Sequence, residues 1–373
     1  MPEEKGVIWR DSHFAPQVGW FLCVGGVYVD IVIDVPSYPA EDAYLRASRA
    51  PQRKRGGNAA NTSAVLAQLF VARKSVENTV AWMGATPGGN VEPTAFAMAD
   101  LERFGVDTSL REVVFAAAGE EPLSQPTAYV IRSSATGSRT GVSWRGGLRE
   151  VGVDHFERNL ASRSWSWIHL ECRLLPDTLH MARRARASGM AGYVLSVELE
   201  KPHLPQEEAY LTAKQADVVF LSKDWVAKNV LEGAVVEKES AQNREQVVSA
   251  LKQIASQLHE GDAAHTSLLI CGWGTAGAFA LDIASGQHFY QPATLAPVVV
   301  DSVGAGDTFI GACIFALANG FKVQDVLRCG CAVAGGKVAQ ATFDDLARYL
   351  PSEMFAAGGD PCCEPERKVP RLA

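Results

Sequence analysis

Six short apolar runs, at residues 20–24, 79–83, 167–170, 193–197, 218–221 and 268–271, recur along the chain with longer segments between them. Each run is strand-length and lacks the polar alternation of a half-exposed strand, so each predicts a strand buried on both faces. The intervening segments 59–70, 92–104, 177–188, 244–258, 307–318 and 323–340 space their apolar residues as helices do. This alternation predicts an α/β fold, a mainly parallel, doubly wound sheet flanked by helices. Residues 27–55 and 126–148 break the rhythm. They hold short alternating patterns, such as 127–131 and 140–144, and predict a small antiparallel sheet standing off the main body. The organisation expected is an N-terminal extension over 1–18, one α/β domain over 19–350, and a mobile tail over 351–373 rich in Pro, Gly and charge. The charged, Gln-rich segment 231–265 is expected to include a surface helix, and no internal repeat is present.

Lys and Arg number 35 against 42 Asp and Glu, a formal charge of −7. That balance argues against a general nucleic-acid binder, which needs a basic face. A phosphate site needs only a few local donors and is compatible with it. No apolar run reaches the ~18 residues that span a bilayer. The N-terminal stretch carries acids and no apolar core of a signal peptide. The eight cysteines form no CxxC pair or Cys/His spacing, and several sit in apolar runs, as Cys23 and Cys271 do. A reducing, cytoplasmic setting without zinc or membrane is the expectation.

The strongest chemical signal lies at 298–309. There an apolar stretch is expected to end as a strand, a small-residue turn follows, and a helix begins near Asp307. Gly304 and Gly306 allow close approach of a bound group. The first N–H groups of a helix lack internal partners and, with the dipole, favour an anion. Asp307 beside such an anion hole is placed to take a proton from an attacking hydroxyl. An Asp here also serves as an ordinary N-cap. A second signal is Arg55-Gly56-Gly57-Asn58-Ala59-Ala60-Asn61, opening an apolar helix. Asn58 and Asn61 share one face of its first turn, where two carboxamides and the Gly57 backbone suit a polyol. Asn58 as a plain helix cap is the simpler role. A third is Asp30, a carboxylate inside an apolar run, costly unless it meets donors such as sugar hydroxyls, or unless it lies at an exposed strand edge.

These three motifs, in this order, resemble the PfkB, or ribokinase-like, sugar kinases, over about residues 20 to 345. Further stretches point to the fructose-phosphorylating branch of that family: 38–42, 137–140, 167–171, 196–202, 219–224 and 327–331. The resemblance implies a ribokinase-like domain with a β-sheet lid, ATP with Mg²⁺ as phosphoryl donor, and Asp307 as general base. Asp30, Gly57, Asn58 and Asn61 are then sugar ligands. Asp42 matches a lid residue that reaches the partner's sugar site, which implies a homodimer through the lid. Arg139 matches a lid cation on the phosphates; an isolated Arg is otherwise a solvated one. Gly274, Thr275, Ala276 and Gly277, after the strand 268–271, match the nucleotide loop, and Lys223 is expected near the phosphates. Gly304, Ala305 and Gly306 form the anion hole, and Cys331 and Gly335 the adenine side. Glu198 or Glu200 is a candidate for Mg²⁺ through water.

One family motif is absent. Many members carry Asn-x-x-Glu near position 222, linked to Mg²⁺, where this chain has Ser222-Lys223-Asp224-Trp225. The reaction implied is transfer from ATP to the 1-hydroxyl of fructose. Another sugar kinase (ribokinase, a 6-fructokinase), a nucleoside kinase, or a non-catalytic sugar or nucleotide sensor are the alternatives. A nicotinamide dehydrogenase is disfavoured, because no GxGxxG follows the first strand.

Overall fold

The structure is a computed structural model describing residues 14–75, 77–89, 92–136, 138–231, 241–259 and 264–355. Most of the extension, the end of the tail, Gly137, and parts of 231–265 (232–240 and 260–263) lie outside the described residues. The strands are β1 Trp20–Val24, β2 Tyr28–Val35, β3 Gln52–Gly56, β4 Thr79–Met83, β5 Ala85–Pro87, β6 Glu112–Val114, β7 Thr127–Ser133, β8 Arg139–Trp144, β9 Trp165–Glu171, β10 Val194–Leu199, β11 Val218–Ser222, β12 Leu268–Gly272, β13 Ala278–Asp282 and β14 His288–Gln291. The helices are α1 Asn58–Ala72, α2 Glu92–Arg103, α3 Val153–Leu160, α4 Leu175–Ala187, α5 Gln206–Ala213, α6 Lys223–Asn229, α7 Ala241–Leu258, α8 Ala305–Ala318 and α9 Val323–Val338.

All six apolar runs become strands of one eight-stranded sheet, ordered β14-β13-β12-β11-β10-β9-β1-β4. From β4 to β12 every pairing is parallel; β13 and β14 complete one edge as an antiparallel hairpin. Alternate side chains feed two cores. Phe21 and Cys23 pack under α1, α2, α8 and α9, while Leu22 and Val24 pack under α3 to α7. The chain leaves β1 for β4 on one side and returns to β9 on the other. The carboxyl ends of β1 and β9 therefore flank a topological switch, where open α/β sheets bind ligands.

The off-body sheet also forms, ordered β3-β2-β7-β8. It is mixed rather than purely antiparallel, because β2 and β7 run parallel. Register puts Asp30, Lys54, Arg132 and Arg139 on one face of it and Tyr129, Val142 and Trp144 on the other.

A further expectation is corrected. Residues 298–300 are not a strand: Val298 and Val299 are exposed, and the segment is held outside the sheet by Val300 and Asp301 N–H groups donating to the Val338 carbonyl. Short helices α3, α5 and α6 were not foreseen, since eight residues or fewer carry too little periodicity to read. Packing extends to Phe14 at one end and Met354 at the other. Phe14 meets Trp167 edge-on, and Met354 is buried while its carbonyl accepts from Arg73 at 2.5 Å.

α8 is buried at every residue from Asp307 to Ala318. Its Phe315 lies 5.6 Å from the Phe70 ring of α1 and is fully enclosed. Truncating such a side chain leaves a cavity as well as losing transfer energy. Phe315→Ala is expected to lower unfolding free energy by about 3–5 kcal/mol, read as a fall in the urea midpoint with an unchanged slope.

Candidate active site

Two helices start at the heart of the site, and neither uses the cap expected from its sequence. Gly57 at φ 99° precedes α1 and Gly304 at φ 76° precedes α8, with no side-chain cap at either. A methyl group on Gly57 would lie 2.3 Å from the Gly26 carbonyl oxygen, and one on Gly304 2.3 Å from the Phe343 ring. Both turns need glycine for conformation and for room. With glycines closing the turns, Asn58 and Asp307 do not serve as caps, and their side chains are engaged elsewhere.

Asp307 is buried, and its Oδ2 accepts a 2.6 Å hydrogen bond from Asn61 Nδ2. Asn61 Oδ1 in turn accepts from Arg55, which pairs with Asp100 at 2.7 Å. Burial pushes the Asp307 carboxyl up to about 7, opposed by the Asn61 bond and reinforced by Glu200 and Glu171. A carboxyl poised there is suited to proton transfer near neutral pH. Asn58 Nδ2 donates to Glu198 Oε1 at 3.0 Å and to Glu200 Oε2 at 2.8 Å. The other Glu198 oxygen is buried without a partner. Burial, then Glu200, Asp307 and Glu171, hold the Glu198 carboxyl far above its usual range.

Glu171 ends β9 and ties the first turn to the second. Its Oε2 accepts from the N–H groups of Gly26 at 3.1 Å and Ala59 at 3.2 Å, while Oε1 pairs with Arg173 at 2.8 Å. Asp30 reaches in from the lid, buried rather than at an exposed edge, with no hydrogen bond to another described side chain. A methyl on Gly56 would stand 2.4 Å from both of its oxygens. Burial raises the Asp30 carboxyl to about 6, against the pull of Arg55 and Lys54.

Around the 301–306 turn the lid supplies cations. Lys54 pairs with Asp301 at 2.7 Å, Arg132 donates to the Val300 carbonyl at 3.0 Å, and Arg139 donates to Ser302 Oγ at 3.0 Å. Ala305, Gly306 and Asp307 open α8. The N–H groups of Gly306 and Asp307 have no intrahelical acceptor, and beside Gly306 a methyl group would meet nothing within 4 Å. The turn thus offers free donors next to open space, ringed by positive charge. Gly274, Thr275 and Ala276 form a short turn after β12, closed by Gly277 at φ 98°, and Gly272 before it faces Phe309 of α8. Cys331 is buried in α9, and Gly335 there lies against the backbone of Thr294.

The structure therefore gathers Asp30, Gly57, Asn58, Asn61, Glu198, Glu200, Asp307 and the 304–306 turn around one cleft, with Arg139 at its rim. It does not bring Asp42 or Lys223 to these groups. Asp42 is exposed in the loop between β2 and β3, and Lys223 is the first residue of α6 after its Ser222 cap. Sequence reasoning missed Lys54, Arg55, Arg132 and Glu171 as site residues. Their signal was a charge within or at the end of an element otherwise read as packed.

A profile described as the pfkB family of carbohydrate kinases matches residues 21–342. The chain belongs to that family and is a sugar kinase. Mouse ketohexokinase is 34% identical over 330 residues, which cover 87% of this chain and 98% of that protein. Among solved structures, ribokinase from Cryptococcus neoformans in complex with ADP superposes with a TM-score of 0.66 at 17% identity, covering 90% of this chain and 97% of the other. Arabidopsis thaliana ribokinase complexed with ribose and ATP gives 0.66 at 17% identity, covering 92% and 100%. These likenesses place the fold as ribokinase-like.

Alanine at Gly304 and at Gly306 separates what the fold needs from what the site needs. Gly304→Ala is expected to cost at least about 1–3 kcal/mol of stability through a strained αL residue and the clash with Phe343, measured by chemical denaturation. Gly306→Ala is expected to keep wild-type stability while lowering kcat/KM, because its methyl enters the open space over the α8 donors.

Proposed function

We propose that the protein transfers the γ-phosphoryl group of ATP to the 1-hydroxyl of D-fructose, with Asp307 as general base. The observation that carries this reading is the buried Asp307 carboxyl, raised to about 7, beside the free N–H groups of α8. The likeness to mouse ketohexokinase supports the choice of sugar. Asp30, Asn58, Asn61 and the Gly57 backbone bind hydroxyls of the sugar. As the hydroxyl proton passes to an Asp307 oxygen, the sugar oxygen bonds to the γ-phosphorus. The bond to the bridging β–γ oxygen breaks, and ADP leaves. The α8 N–H groups with Arg139 and Lys54 stabilise charge spread over the transferring group.

The turn 274–277 at the carboxyl edge of the sheet holds the nucleotide, and Lys223, just after the end of the adjacent strand β11, lies on the nucleotide side, outside the sugar cleft. The exposed Leu295, Val298 and Val299, with Cys331 and Gly335 nearby in α9, offer an apolar wall to its base. The lid contacts at Lys54, Arg132 and Arg139 close the cleft against water, a competing acceptor.

Mg²⁺ fits the donor set at Asn58, Glu198 and Glu200, where one buried carboxylate oxygen lacks a partner. Among the described residues, no group of three or more His, Cys, Asp and Glu side chains is placed to hold a metal ion. Mg²⁺ keeps several waters and uses one or two carboxylates plus substrate phosphates. When bound, the ion supplies charge neutralisation on those phosphates. The exposed apolar face of the lid, with Tyr129, Val142 and Trp144, supports a homodimer in which Asp42 reaches the partner's cleft. No helix among the described residues is long and apolar enough to cross a membrane, and six buried free cysteines fit a cytoplasmic setting.

Incubation with ATP and fructose, followed by ³¹P and ¹³C NMR, is expected to yield fructose 1-phosphate; ribose and adenosine run as parallel acceptors identify the alternatives. Phosphate on another position, or faster turnover of ribose, overturns the choice of substrate.

Asp307→Asn is expected to lower kcat by at least about 10²-fold with nucleotide affinity retained. In the wild type kcat rises as pH passes through about 7, where Asp307 ionises. The folded carboxyl binds its proton more tightly than the unfolded one, so stability contributed by this group falls as pH rises from about 4 to 7. The Asn variant is therefore expected to melt no lower than wild type at pH 8, measured by calorimetry.

A further inference from the structure

Lys337 lies in the last turn of α9 with 1% of its surface exposed. Lysine is almost never fully buried unless paired, yet Lys337 makes no ion pair with a described residue. Its Nζ donates to the main-chain oxygen of Asp301 at 3.3 Å and stands 5.1 Å over the Phe343 ring. The first contact is with the 301–306 turn itself, and the second is with a ring that packs against it. The Asp301 side chain folds back onto the Val303 N–H at 3.0 Å, and the Phe343 ring fills the space against Gly304. The ammonium and the ring together form the floor on which the turn rests, directly ahead of the first donors of α8.

We propose that Lys337 is a positioning residue for phosphoryl transfer: a buried fixed charge that, through the Asp301 carbonyl and Phe343, holds the 301–306 turn in the shape that presents the α8 N–H groups. The proposal rests on the reading of that turn as the phosphoryl-binding element. Lys337 itself touches no substrate. Its charge also offsets Asp301 and Asp307, both of which attract it, while Lys54 from β3 and Arg139 from β8 repel it. Burial outweighs the attraction and brings the ammonium down to about 8.

The sign of the effect distinguishes positioning from plain stability. The folded ammonium loses its proton at about 8, below its ordinary 10.5, so between those values the unfolded chain binds a proton that the folded chain does not. Folding stability contributed by this group therefore rises with pH over that window, while the turn loses its charge and activity falls. A residue needed only for folding has no reason to give opposite trends.

The test is the pH profile of kcat/KM for ATP in the full-length wild type and in Lys337→Met, with melting temperature recorded in parallel. The wild type is expected to show an alkaline limb near pH 8. Lys337→Met is expected to have kcat about 10–100-fold lower at pH 7, no such limb, and an unchanged or higher melting temperature. Lys337→Arg, which stays charged, is expected to move the limb upward. Persistence of the wild-type limb in Lys337→Met, or wild-type kcat in that variant, overturns the proposal. If Lys337→Met does not fold, ¹⁵N-lysine NMR of the wild type decides. A side-chain amine titrating near 8 and moving upward with ATP supports it, and one near 10.5 or indifferent to ATP refutes it. A wild type inactive on every sugar refutes the functional reading instead, and the NMR titration still judges Lys337.

Discussion

Asn61 sits one turn inside α1 and Asp307 just inside α8, and the 2.6 Å hydrogen bond between them fixes the two helix starts relative to each other. That bond exists because the helices pack unusually close: a methyl group on Gly311 of α8 would lie 3.1 Å from Val65 of α1. Arg55 then locks the far side of the Asn61 carboxamide, so the side chain has one orientation, with its NH₂ towards Asp307. A carboxylate held by a single neutral donor in a buried place keeps its proton more readily than one in water. The same geometry therefore sets both where the base stands and how basic it is.

The cleft divides its charges between two bodies. The parallel sheet contributes Glu171 and Glu198 at the carboxyl ends of β9 and β10, followed at once by Glu200. Most of the cations come from the lid, on β3, β7 and β8. Acids concentrated in the rigid part raise one another's proton affinity and leave an unpaired oxygen at Glu198. Cations on the other part meet the turn that precedes α8. A polyphosphate entering between them is attracted from the lid side and, with a divalent ion, is compatible with the acidic side.

Much of this was legible in the residues. Strands buried on both faces announce themselves as continuous apolar runs, and glycines at 57 and 304 mark turns of unusual conformation because little else fits there. The lid was readable from its alternation. What escaped depended on contacts between distant segments. The valines at 298–300 look like a strand by composition, but Val338 of α9 fixes their backbone away from the sheet. The partners of the Asn58 amide are equally distant in sequence: it is held by two glutamates 140 and 142 residues away. Lys337 sits among small and apolar residues of α9, and no local rule says which carbonyl a lysine will find.

Past its open first turn, α8 is enclosed from Asp307 to its last residue, Ala318. A rod packed on every side has no freedom to tilt or slide to suit a different acceptor molecule. Adjustment to the size and stereochemistry of the acceptor must then fall to the lid strands and the exposed connection between β2 and β3. Divergence in what such an enzyme phosphorylates is thereby channelled into peripheral segments, leaving the proton-accepting apparatus untouched.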